Sequence, residues 1–351
     1  MGLAPSRPAA PTHASPAALA AHFSLSPSSH WLSTEPTLAT ALASSTKNHT
    51  HTTDLLQHGW RARTKHTQSS SWTADPFDRA NHDAVLAVDY PPASRSGDQF
   101  EMRVLGTKHE PAQTALLKYE VAFDPTFDFV KGGKLPGLSG TSSSSGHGRT
   151  LCVGGRHLDS CVSARLMWRP QGLGEVYAYV PTDAGFCEEG ERRGDVACDV
   201  SWGTSLSRGS FRFERARWHT ITQLVSLNDP PLANGLLHLY LDDHLVLSHS
   251  DILWRTSPNV TFDAVLFSTF FGGGDDSYNS PSSPSATSYF RRFEVYSSPN
   301  ASSSPGRSIA HPIWGDPYPP SRRRARSISR SLVFVACLAV LGSPVLHWAT
   351  S

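Results

Sequence analysis

Short runs that alternate apolar and polar residues at period two restrict this chain more than any other feature. They fall at 118–123, 162–168, 175–180, 210–214, 218–227, 236–247, 264–270 and 289–296. A period of two is what a strand with one buried face requires. In 218–227, for example, Trp218, Thr220, Thr222, Leu224 and Ser226 face one side, while His219, Ile221, Gln223, Val225 and Leu227 face the other. One of those sides is mostly core. Asn234-Gly235 and Asp242-Asp243 stand where turns would join neighbouring runs. No stretch of comparable length carries a helical stripe. The pattern predicts an all-β fold, a β-jelly roll or related concave two-sheet sandwich, with a curved face long enough to hold an extended chain.

Composition marks where this pattern stops. Residues 1–70 are crowded with Ala, Pro, Ser, Thr and His and carry few large apolar residues at any regular period. Burial there would struggle to offset the entropy of ordering, so the segment reads as low-complexity and disordered. The β domain is assigned to 71–299, followed by a Ser/Pro/Arg-rich linker at 300–330 and an apolar tail at 331–349. The tail reads either as a membrane span or as a lipid-anchor signal. Arg322, Arg323, Arg324, Arg326 and Arg330 directly precede it, as membrane-flanking charges would. Elsewhere the charges balance, with 31 basic and 30 acidic residues giving +1, so no field favours nucleic acid.

Cys152, Cys161, Cys187 and Cys198 lie in the β domain and Cys337 in the tail. The spacings favour local bridges, Cys152 with Cys161 and Cys187 with Cys198, although four cysteines allow three connectivities. Acceptor sequons at Asn48, Asn259 and Asn300 fit a secretory route. The first thirty or so residues lack the charged and apolar regions of a signal peptide. The expectation is an extracellular or cell-surface monomer without a clear N-terminal signal. The 17 histidines scatter without ligand spacing, so neither metal nor other cofactor is expected.

The window CVSARLMWRPQGLGEVYAYVP, from Cys161 to Pro181, reads as a β-hairpin with its loop at Pro170-Gln171-Gly172-Leu173-Gly174. If Arg169 stands opposite Glu175, then Arg165 stands opposite Tyr179 and Met167 opposite Tyr177. Ser163, Arg165, Tyr177 and Tyr179 then share one face. A one-residue slip would send the tyrosines to the other side. A guanidinium beside two phenols suits proton abstraction next to a carboxylate. Arginine neutralises the acid, and a tyrosine whose pKa neighbouring cations lower from ~10 moves the proton. Ser163 would orient the substrate or one phenol. The plainer explanation is packing, with an arginine stacked on aromatic rings.

A second window, FDFVKGGKLPGLSG, places Lys134 between a Gly-Gly pair and a Leu-Pro-Gly-Leu turn, which would hold it at a strand end. GGKLPGL, the S-A-R of Ser163–Arg165 and the Y-A-Y of Tyr177–Tyr179 together resemble polysaccharide lyase family 14. RGSFRFERARWHTITQLVSLN and FSTFFGGGDDSY extend the resemblance to about 84–296. It implies a β-jelly roll that depolymerises alginate or glucuronan. It also implies an active site of Lys134, Ser163, Arg165, Tyr177 and Tyr179, with Lys134 and Arg165 around the substrate carboxylate. Which of Lys134 and the tyrosines handles the proton stays open. The opening strands, LAVDYPPASRSGDQFEMRVLG, follow the family loosely, and the loop at 275–288 is enlarged with Ser and Pro.

A glycoside hydrolase would need two carboxylic acids across the scissile bond, and the candidate face offers Glu175 alone. A non-catalytic glycan-binding protein on the same fold is the remaining alternative. The partner expected in either case is an acidic polysaccharide.

Overall fold

The computed structural model describes residues 9–312, apart from 44–48, 65–66, 107–109, 143–150, 157, 200, 274 and 283–285. The expected linker beyond 312, its arginine cluster, the apolar tail and the Asn48 sequon lie outside the described residues. Among the described residues no helix is long and apolar enough to cross a membrane.

Two antiparallel sheets of eight strands each form a jelly roll. Strands of the first run in the spatial order His244–Ile252, Gly235–Leu241, Trp218–Ser226, Thr114–Phe123, Ala286–Ser298, Val85–Tyr90 and Ser70–Thr73. Ser26–Leu32 also pairs with Ala286–Ser298. The second sheet runs Val196–Ala197, Thr204–Arg212, Leu173–Tyr179, Cys161–Trp168, Gly133–Ser142, Val260–Phe271, Gly97–Met102 and Ala62–Arg63. Each strand contributes alternate residues to the core between the sheets. Leu117, Tyr119, Val121 and Phe123 come from one side, Val162, Ala164, Leu166 and Trp168 from the other. The run expected at 236–247 is two strands, and it folds back at Asp242 and Asp243, both of which adopt the left-handed backbone of a tight hairpin.

The N-terminal segment departs from the sequence reading. Pro16–His22 is a helix capped by the Ser15 hydroxyl, and Leu19, Phe23 and Leu25 bury against Leu116, Leu224 and Tyr240 on the outer face of the first sheet. A further helix, His49–Gly59, and the residue that follows it bring Leu56 and Trp60 into the main core. There the Trp60 ring meets Trp72 and Phe293 at centroid distances of 5.4 and 4.7 Å. Helices this short are not stable alone. Docking a few apolar side chains onto an existing sheet supplies what composition does not. The helix Ala184–Arg193, capped by Asp183 and ended by Gly194 in the left-handed conformation, also carried too little periodicity to be predicted.

The hairpin at Cys161–Tyr179 is two residues tighter than expected. Its loop is only Pro170–Gly172, and the Arg169 N–H donates to Leu173 O across it. Gln171 and Gly172 take φ of 61° and 78°, the left-handed turn that closes so short a loop. Ser163 is therefore opposite Tyr179, Arg165 opposite Tyr177 and Met167 opposite Glu175. The shift is by two, one full period, so every side chain keeps its predicted face.

Candidate active site

Because Val162, Ala164, Leu166 and Trp168 enter the core, Ser163, Arg165 and Met167 emerge on the outer face of the second sheet. Tyr177 and Tyr179 join them from the next strand and meet edge to face, ring centroids 5.8 Å apart. They cluster with Cys152, Cys161 and Met167, apart from the main core. From the other side Lys134 is placed opposite Met167.

The GGKLPGL segment has a physical reason for each unusual residue. A Cβ on Gly133 would stand 2.0 Å from the Trp168 ring, and one on Gly137 would stand 2.1 Å from Ala164 O. Between Lys134 and Gly137 this strand advances three residues while its partner advances two, from Met167 to Arg165. Pro136, which has no N–H to offer the ladder, sits in that bulge. Leu-Pro-Gly-Leu is thus a bulged strand and not the turn expected, and Lys134 lies near the start of the strand Gly133–Ser142.

These residues line a cavity of about 660 Å³, shared among others by Gln99, Lys134, Arg165, Tyr177, Tyr179 and Arg208. Lys134 is 8 % exposed and Arg165 1 %. The Lys134 Nζ stands 3.4 Å from the centroid of the Tyr177 ring and against Met167 Sδ. Burial first, and the Arg165 charge second, hold its pKa well below the ordinary 10.5. Arg165 donates from Nη1 to Ser268 Oγ, 3.2 Å, and Ser268 donates to Gln99 Oε1, 3.2 Å. Its buried Nε finds no acceptor among the described residues. Burial also lowers the Arg165 pKa, with the two phenols acting the other way. Tyr177 is pushed above its usual value by burial and then by Tyr179. This corrects the expectation that neighbouring cations would lower it. Arg169 does act in that direction, but desolvation of the phenolate is larger.

Glu175 is fully buried and faces the same side. Its carboxylate accepts from Arg169 Nε at 2.9 Å, Arg208 Nε at 2.6 Å and Ser205 Oγ at 2.7 Å. Burial alone would raise its pKa, yet the two arginines and the hydroxyl hold it below the carboxylate range. The acid is a structural anchor for two cations at the cavity wall.

Ser163 has a different role from the one expected. It is absent from the cavity lining, and its hydroxyl donates to Cys152 O at 2.8 Å. The disulfides are Cys152–Cys161 and Cys187–Cys198, the local pairing favoured by spacing. The first ties down the loop whose Gly155 N–H donates to Tyr179 Oη at 3.1 Å. Gly155 has φ of 76°, and a Cβ there would meet Ser201 O at 2.4 Å. Gly155→Ala is expected to cost about 1–3 kcal/mol of stability and to lower turnover through loss of the Tyr179 contact. Melting and rate measurements on one preparation check both effects. Unchanged turnover would mean that the contact is dispensable.

Gln99, Ser205, Arg208 and Ser268 escaped the residue-by-residue reading because they come from other strands. Ser268 and Arg208 do sit inside the FSTFF and RGSFRFE stretches that carried the family resemblance.

A jelly roll with a buried lysine, an arginine and two tyrosines in a cleft on one sheet face has the architecture of an enzyme that acts on acidic polysaccharides. The chain belongs to the family Polysaccharide lyase 14, which it matches over residues 78–293, and it is a polysaccharide lyase. It is similar in structure to the PL-14 alginate lyase of Aplysia kurodai, with 28 % identity and a TM-score of 0.62 over 76 % of this chain and 98 % of that one. An alginate lyase from a Chlorella virus is 20 % identical, with a TM-score of 0.52 over 70 % of this chain and 97 % of its own. No curated protein sequence matches the chain.

Proposed function

We propose that this lyase cleaves a uronate-containing polysaccharide of the alginate or glucuronan type by β-elimination, with Lys134, Arg165, Tyr177 and Tyr179 as the reacting face. The observation that carries this reading is that a buried lysine and a buried arginine line one cavity together with two tyrosines. A uronate carboxylate in the cavity would accept from the Arg165 guanidinium that lines it. That contact withdraws charge from the carboxyl group as the C5–H bond breaks. Lys134 takes the C5 proton, and the ammonium that forms is favoured by the face of the Tyr177 ring and by Glu175. Tyr177, kept protonated by burial, gives its proton to the O4 leaving oxygen. The C4–O bond breaks, a C4=C5 double bond forms, and the phenol recovers its proton from Lys134 through solvent. Tyr179, held by Gly155, orients the sugar. Ser163 supports the site indirectly through Cys152.

Trp202, 47 % exposed at the rim of the cavity, supports a sugar ring stacked at the entrance. The alginate lyase of Aplysia kurodai supports alginate as the first substrate to try. Hydrolysis finds no support from the acids lining the cavity. The Asp199 carboxylate accepts from the Ser201 and Trp202 N–H groups, and that of Asp275 accepts from the Ser277 N–H. Both are turn caps rather than a facing pair. The test is incubation with alginate and with glucuronan. The expected product carries the ultraviolet absorbance of a 4,5-unsaturated uronate. New reducing ends without that absorbance would indicate hydrolysis and reject the proposal.

An extracellular or cell-surface location follows the same reading. It is supported by the two disulfides and by the exposed Asn259 and Asn300 sequons. Glycosidase treatment of protein secreted from a eukaryotic host should lower its mass. A cytosolic pool with all four cysteines reduced would sink this assignment.

A further inference from the structure

The segment before residue 78 lies outside the family match, yet it adds a strand to the catalytic sheet. Ala62–Arg63 pairs with Gly97–Met102, Ala62 opposite Met102 and Arg63 opposite Glu101. Ala62 and Met102 are core residues, so Arg63 and Glu101 stand on the outer face, the one that carries the active site. Gln99, two residues before Glu101 on that face, lines the catalytic cavity. One strand spacing across and two residues along separate Arg63 from Gln99, about 8 Å between backbone positions.

Arg61, Arg63 and Arg103 surround a second hollow of about 850 Å³, together with Gln57, Ala62 and Thr64. No carboxylate lines it. Arg103 reaches Glu101 at 3.5 Å. The backbone beneath is anchored, since Trp60 and Ala62 are both buried in the core. Arg61 has φ of 51°, the left-handed step that turns the chain from the helix into the strand.

We propose that Arg61, Arg63 and Arg103 form an additional subsite that binds carboxylates of the polyuronate away from the scissile bond. The subsite rests on the polyuronate reading above. It lies at one end of the face that holds the cavity, within reach of a polymer whose reacting unit sits against Arg165. Guanidinium groups match carboxylates in geometry as well as charge. Arginines can also serve merely to keep an edge strand from pairing with another chain, and the experiment separates the two roles.

The variant is the triple substitution Arg61→Gln, Arg63→Gln, Arg103→Gln, assayed at low ionic strength on a long polyuronate and on a trisaccharide cut from it. All three side chains are exposed, so the melting temperature should match wild type. On the polymer KM is expected to rise about tenfold, with kcat retained and trisaccharide turnover unchanged. The difference should shrink in high salt. An unchanged KM on the polymer overturns the subsite. Should wild type yield no unsaturated product from any polyuronate, the lyase reading has failed, and calorimetric titration of polyuronate into both proteins decides the subsite alone. Weaker binding by the variant upholds it; equal binding, or none by either, overturns it.

Discussion

Lys134→Met should abolish elimination while making the protein more stable. General acid–base groups contribute about 10²- to 10⁴-fold to rate, and Lys134 is the side chain proposed to hold the proton between its departure from C5 and its return. The loss should fall on kcat, measured by the absorbance of the unsaturated product. The gain in stability comes from the same burial that makes the lysine useful. In the folded chain its pKa lies well below 10.5, first through desolvation and then through Arg165. Between the folded value and 10.5 the unfolded chain therefore binds a proton that the folded chain refuses. The resulting penalty is absent above the unfolded value, grows as pH falls, and is complete below the folded value. Methionine has a similar length and no charge to desolvate. Its variant should melt at a higher temperature than wild type at neutral pH, with the gap closing at alkaline pH. Turnover at the wild-type rate would reject the assignment of Lys134, and a lower melting temperature would reject its account of burial.

Arg165→Gln should lower kcat/KM by about 10²- to 10³-fold, the scale seen when one preorganised donor to a developing charge is removed. Glutamine is uncharged and offers no fork to a carboxylate. Arg165→Lys should rescue little, because an ammonium makes a point contact where two parallel bonds are needed. The substitution has a second signature. Removing the Arg165 charge removes the second-largest influence lowering the Lys134 pKa. The rising limb of the kcat/KM profile, which follows deprotonation of Lys134, should therefore move to higher pH. A purely structural role for Arg165 would lower the rate without moving that limb. A limb that stays in place would show that another group is the base.

Much of the site was legible because strand geometry is tolerant in one particular way. The hairpin register was misjudged by two residues, yet Arg165, Tyr177 and Tyr179 still share a face, since side chains alternate with a period of two. The same reasoning failed for Ser163. It shares the predicted face, but the loop stapled by Cys152 and Cys161 covers it and takes its hydroxyl. Lys134 was singled out through its motif, and the bulge at Pro136 that seats it was read as a turn. A Leu-Pro-Gly sequence suits either, and only pairing with Arg165 and Met167 distinguishes them.

What the sequence determined by itself is local. Period-two runs give an all-β fold, short cysteine spacings favour local bridges, and alternation along each strand assigns residues to a face. The tertiary structure decided which distant groups meet there. Glu175 draws its arginines from its own hairpin and from 208, Arg165 finds Ser268 and through it Gln99 across the sheet, and the described part of the low-complexity N-terminus docks Leu19, Leu56 and Trp60 onto strands formed far along the chain. The physical reason is desolvation. The lowered pKa of Lys134 and the raised pKa of Tyr177 depend on how much water their neighbours exclude. That is a property of the assembled sheets and of no single segment.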